Sequence, residues 1–71
     1  MTFAWRAIGR TYQADIGTAL YVIERPCGRR HRWVAVVGRR TRHITVDLGD
    51  WPSFAAAQAA CEVDQIREQT C

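Results

Sequence analysis

Residues 43–60 read His-Ile-Thr-Val-Asp-Leu-Gly-Asp-Trp-Pro-Ser-Phe-Ala-Ala-Ala-Gln-Ala-Ala, and two periodicities meet inside them. Ile44, Val46 and Leu48 alternate with His43, Thr45 and Asp47, the period-two pattern of a half-buried strand over 43–48. Ser53 is a strong N-cap, and the alanine-rich run that follows has high helix propensity, so a helix is expected over 53–69. Phe54, Ala57, Ala60 and Cys61 share its buried stripe, Val63 and Ile66 flank that stripe, and Glu62, Arg67 and Glu68 face water. Small side chains there let a helix lie close on a sheet. Between the two elements, Gly49, Asp50, Trp51 and Pro52 form the corner. Trp51 is expected to plug it, with Trp51→Ala costing about 3–5 kcal/mol.

Working back from this corner, residues 32–37 form the preceding strand, with Trp33, Ala35 and Val37 on one face and Arg32, Val34 and Val36 on the other. Residues 38–42 turn the chain. Strands 11–16 and 19–24 alternate in the same way around a tight turn at Gly17 and Thr18, and Pro26 and Gly28 end the second of them. Residues 2–8 contain Trp5 and Ile8 but are too short a pattern to place as strand or arm. The expected fold class is α+β: an antiparallel three- to four-stranded β-meander packed against one C-terminal α-helix, a single domain over residues 1–71.

A chain of 71 residues can build one core, since it buries only about 60% of its unfolded surface. With 48% hydrophobic residues, three Trp, two Tyr and two Phe, it has enough apolar material to fold without staples. No stretch approaches the roughly 20 apolar residues of a membrane span, and the first ten residues lack the order of a signal peptide, so the expected location is the cytoplasm of a bacterial host cell. Cys27, Cys61 and Cys71 are odd in number and contain no Cys-x-x-Cys, which argues against a disulfide framework or a zinc knuckle. Cys27 and His31 have a tolerable metal spacing but no second pair, and neither metal nor cofactor is expected. Nor is catalysis: there is no phosphate loop, no His-Glu-x-x-His and no nucleophile elbow, and Ser53 is explained as a cap.

The formal charge of +3 is unevenly placed. Residues 25–43 hold seven Arg, two His and no acid, whereas the remainder holds three Arg against seven acids. The candidate partner- or phosphate-binding residues are Arg25, Arg29, Arg30, Arg32, Arg39, Arg40 and Arg42. Successive turns of a meander lie at opposite ends of the sheet, so Arg29, Arg30 and Arg32 are expected about 17–20 Å from Arg39, Arg40 and Arg42. Turn arginines are often simply solvated. Arginine also presents a planar fork suited to phosphates, carboxylates and aromatic faces.

Residues 32–37 (Arg-Trp-Val-Ala-Val-Val), residues 48–53 (Leu-Gly-Asp-Trp-Pro-Ser) with the alanine helix, and Arg25-Pro26-Cys27-Gly28 together resemble the plant ethylene-response-factor type of DNA-binding domain over about forty-five residues. The architecture is also similar to the N-terminal arm-binding domains of tyrosine recombinases. The resemblance implies a sheet packed on one helix, with DNA read by arginines and tryptophans on the sheet face turned away from the helix. By position, that face here would hold Leu20 or Val22, Glu24, Val34, Val36, Thr45 and Asp47, with Arg25 and Arg32 at its margin. Acids and aliphatics suit phosphate poorly. Leu20, Val22, Val34 and Val36 instead make a candidate apolar docking face, covered by the first segment, by a second copy or by a partner protein.

A binding domain of this size acts mainly by occupying a surface. In size and organisation the chain looks like the phage-encoded anti-CRISPR inhibitors, which implies a host protein or nucleoprotein complex as partner, a CRISPR effector being one such target. The alternatives are a DNA-binding accessory protein using both arginine turns, and a homodimeric interaction module. No membrane partner is expected.

Overall fold

The computed structural model describes residues 3–29 and 31–70, the side chain of Thr70 excepted. Its elements run in the order β1 (Arg6–Ile8), β2 (Thr11–Asp15), β3 (Ala19–Glu24), β4 (Trp33–Arg39), β5 (Ile44–Trp51) and α1 (Phe54–Thr70). The strands form one antiparallel sheet in sequence order, and α1 covers one of its faces. The class is therefore α+β as expected, but the sheet has five strands rather than three or four. The extra strand is β1, which pairs with β2 through Arg6↔Gln13, Ala7↔Tyr12 and Ile8↔Thr11. Three residues carry too little alternation to be seen without their partner strand.

Two boundaries differ from expectation for a shared reason. Gly38 belongs to β4 and pairs with both Leu20 and Thr45, so the turn occupies residues 40–43. Gly49, Asp50 and Trp51 continue β5 instead of forming the corner, because a bulge shifts the register between Ala35 and Val36: Ala35 pairs with Gly49, and Val36 with Asp47. The extra residue, Leu48, re-aims the strand so that Trp51 comes opposite Trp33. Gly49 adopts φ +96°, a conformation that costs a side chain strain, and the Asp47 carboxylate accepts a hydrogen bond from its N–H at 2.8 Å.

The core lies between sheet and helix. Tyr21, Ile23, Val37 and Cys61 are its largest fully buried side chains, joined by Phe3, Ala14, Ala19, Ala35 and Ala57. Each apolar side chain of this size adds about 1.5–3 kcal/mol through removal from water. The helix begins as the sequence predicts: Ser53 Oγ accepts from the N–H of Ala56 at 3.1 Å. Its buried stripe continues past Ala57 and Cys61 to Gln65, while Val63 and Ile66 are 48% and 59% exposed and lie on the far side rather than beside the core. The first segment also runs to the helix side. Phe3 packs on Tyr21 at 4.9 Å between ring centroids, and Trp5 reaches Phe54 at 6.1 Å, so Phe3 and Trp5 do not cover the outer sheet face. Trp51 is only half-buried and donates its indole N–H to the Leu48 carbonyl, whereas Phe54, in contact with Trp5, Tyr12 and Trp33, fills the junction assigned to Trp51.

Candidate functional site

A meander places its alternate turns together, and the arginines behave differently at the two ends of this sheet. One end gathers the turn between β2 and β3, the 40–43 turn and the C-terminal half of α1. Arg39, a candidate partner- or phosphate-binding residue of the 38–42 turn by sequence, closes β4 instead, with a side chain only 10% exposed. Its guanidinium grips Asp64 with two bonds, of 3.1 and 2.7 Å, and lies 3.3 Å from Glu68. Tyr21 donates its hydroxyl to the same Asp64 carboxylate at 2.8 Å. Burial by itself would raise the Asp64 carboxyl, but the bonds from Arg39 and Tyr21 outweigh it and hold the group below its ordinary value. Burial first, and then the Asp64 bond and charge, push the Tyr21 phenol up.

The neighbouring arginines at this end are engaged too. Arg40 binds both oxygens of Asp15 at 2.7 Å and also donates to the Gly17 carbonyl at 3.1 Å, while Arg42 lies 3.7 Å from Glu68. The Arg40 bond and the Gly17 N–H together lower Asp15. This end is electrically closed. The sequence showed the basic cluster, but Asp15, Asp64 and Glu68 are 25 or more positions away from their partners in all four of these pairings, and only the tertiary fold joins them.

The opposite end gathers the β1–β2 turn, the 25–32 loop and the start of α1. Here Arg32 is paired with Asp50 through its Nε at 3.1 Å, leaving Arg10, Arg25 and Arg29 with no carboxylate partner among the described residues. The backbone N–H of Arg25 donates to the Arg10 carbonyl at 3.1 Å, which fixes the two residues side by side. The Arg25 guanidinium lies 4.9 Å from the centroid of the Tyr12 ring and donates to its hydroxyl at 2.6 Å. Arg10 donates to the Pro26 carbonyl at 3.3 Å. Tyr12 and Trp33 stand 6.2 Å apart, both packed on Phe54. Gly9, Arg10, Tyr12, Arg25, Pro26 and Trp33 thereby line an open cleft of about 500 Å³.

Of the residues singled out in sequence, the structure brings Arg25, Arg29 and Arg32 to this end and moves Arg39, Arg40 and Arg42 to the closed one; Arg30 and Cys71 lie outside the described residues. Sequence reasoning missed Arg10 and Tyr12. The signal for Arg10 was Gly9-Arg10, a turn, but it becomes readable only once residues 6–8 are known to be a strand.

The outer sheet face holds Leu20, Val22, Val34 and Val36, each half-buried. The register surrounds them with carboxylates: Asp15 opposite Leu20, Glu24 and Asp50 on either side of Val34, and Asp47 opposite Val36. Asp15 and Asp50 are paired with Arg40 and Arg32, and Glu24 and Asp47 have no ion-pair partner among the described residues, so this face offers phosphate no surplus of positive charge. No helix is long and apolar enough to cross a membrane, and among the described residues no group of three His, Cys, Asp or Glu is placed to hold a metal ion. No family model matches the chain, and neither a curated protein nor a solved structure matches it.

Proposed function

We propose that this protein is a small non-catalytic binding domain that inhibits a host nucleoprotein machine, in the manner of the anti-CRISPR proteins, by occupying an anionic docking surface with the Arg10, Arg25 and Arg29 end of its sheet. One observation carries the reading: among the described residues these three arginines have no carboxylate partner, and Arg10 and Arg25 line an open aromatic cleft, while Arg39, Arg40 and Arg42 are paired with internal carboxylates. A concentrated positive end steers association with an anionic target and orients the encounter. Lacking a neutralising partner, it gives up no internal ion pair when it binds.

The test is inhibition of a panel of purified bacterial CRISPR effector complexes, read as loss of target-DNA binding. The parent protein should inhibit at least one, and the Arg10→Glu, Arg25→Glu, Arg29→Glu variant should fold normally and fail to do so. An inert parent, or a triple variant as potent as the parent, overturns the proposal. The reading as a DNA-binding accessory protein uses the same arginines, but it would have to work from one turn rather than two, and without the outer face.

A further inference from the structure

We infer that the cleft between the β1–β2 turn and the 25–32 loop takes a nucleotide of a single-stranded nucleic acid, its base stacked on Trp33 beside the Tyr12–Arg25 pair and its phosphates held by Arg10 and Arg25; this rests on the proposed anionic partner and names its chemistry. The floor of the cleft is a pair of aromatic side chains 6.2 Å apart, backed by Phe54. Its side is the Arg25 guanidinium, already held over the Tyr12 ring. Flat π surfaces beside positive charge are what an unpaired base and its backbone require, and every base offers such a face. An acidic peptide would use the arginines but has nothing to lay on the rings.

A duplex is the poorer fit. Its base faces are hidden in the stack, and reading it needs an element that enters a groove. The two candidates here are unsuited. The outer sheet face carries Asp15, Glu24, Asp47 and Asp50, and the solvent side of α1 presents Val63 and Ile66 beside Glu62. The cleft joins aromatic surface to two arginines that have no carboxylate partner among the described residues.

Affinity should be measured by fluorescence anisotropy with labelled oligothymidylate of about 12 nucleotides, the same strand without bases, a duplex of equal length and polyglutamate, from about 50 to 200 mM salt. The base-bearing strand should bind about tenfold or more tighter than the abasic one, the range expected for one stacked base. Trp33→Ala should lose that factor. Should this variant fold poorly, the abasic comparison on the parent protein still decides the matter. Two arginine contacts give a salt slope of about −1.4, and Arg10→Ala or Arg25→Ala should each reduce it by about 0.7. Equal, arginine-dependent binding of abasic and base-bearing strands overturns the inference and leaves the anionic-surface reading standing. Tighter binding of duplex or of polyglutamate overturns it as well, and absence of arginine-dependent binding to every probe removes both.

Discussion

Asp64→Ala should be among the most destabilising single substitutions in this protein, although Asp64 is a charged residue on a helix. The change leaves the Arg39 guanidinium, 10% exposed, with Glu68 at 3.3 Å as its remaining anion, and removes the acceptor of the Tyr21 hydroxyl. Breaking one side of a buried pair costs about 3–5 kcal/mol, and an orphaned buried hydroxyl about 1–3 kcal/mol more. Glu68 and inward movement of water offset part of this, so about 3 kcal/mol is expected. A 71-residue domain has about 4–11 kcal/mol in total, so the loss would lower the melting temperature by some 12–24 °C. Urea titration followed by tryptophan fluorescence measures it directly. Replacing all three partners together, as Tyr21→Phe, Arg39→Met and Asp64→Leu, should recover most of the loss, because no buried polar group is then left unmatched. The Arg40–Asp15 pair has the same bidentate geometry but is half-exposed, and Asp15→Ala should hardly move the midpoint. A cost below about 1 kcal/mol for Asp64→Ala, or a triple variant no better than the single, would refute the reasoning.

Stability should fall on the alkaline side. Burial, and then the charges of Asp64 and Glu62, push the Cys61 thiol up to about 12, and the Tyr21 phenol is raised as well. Both keep their protons in the folded state after the unfolded chain has released them, so their contribution is complete below about pH 8.5 and declines by about 1.4 kcal/mol per pH unit for each group above its unfolded value. Urea midpoints between about pH 8 and 11 should show this, with the steeper part above about pH 10 absent in Tyr21→Phe. On the acid side, Asp64 acts in the opposite sense: its contribution is present above the unfolded carboxyl value near 4 and is lost as the pH falls through its lower folded value. In a Cys71→Ser background, an aromatic disulfide reagent should modify exposed Cys27 rapidly and buried Cys61 only after denaturation; two fast thiols would contradict the packing. Ile23→Ala should cost about 3 kcal/mol or more, exceeding Trp51→Ala, because Ile23 is fully buried and Trp51 half-exposed; the reverse order in urea would restore Trp51 as the corner plug.

The fold was legible where one residue's pattern repeats within its own element. Alternation through Tyr21 and Ile23 or Trp33, Ala35 and Val37, and Ser53 ahead of the alanines, are local signals with local causes. What depends on pairing was not legible. β1 is a strand because β2 lies beside it, and Gly49 continues β5 because a bulge opposite Ala35 accommodates Leu48. The interior position of Asp64 and Gln65 was hidden for a related reason: a polar residue on a helix reads as solvent-facing unless its buried partner, here Arg39 for Asp64, is known.

The same distinction governs the arginines. In sequence, Arg29, Arg30 and Arg32 and then Arg39, Arg40 and Arg42 look like two equivalent basic turns. Folding makes them unequal, because the antiparallel return of α1 delivers Asp64 and Glu68 to one end of the sheet and the first turn of the helix, which contains no acid, to the other. Helix polarity acts in the same direction, with its negative end near Arg39 and Arg42 and its positive end near Arg10 and Arg25. One end therefore spends its charge on stability, and the other keeps its charge available. Substitutions at Arg39 should thus be read in the melting curve, and substitutions at Arg10 or Arg25, whose internal contacts are exposed, chiefly in binding. That separation is what lets a loss of function at the cleft be assigned to a lost partner contact rather than to a lost fold.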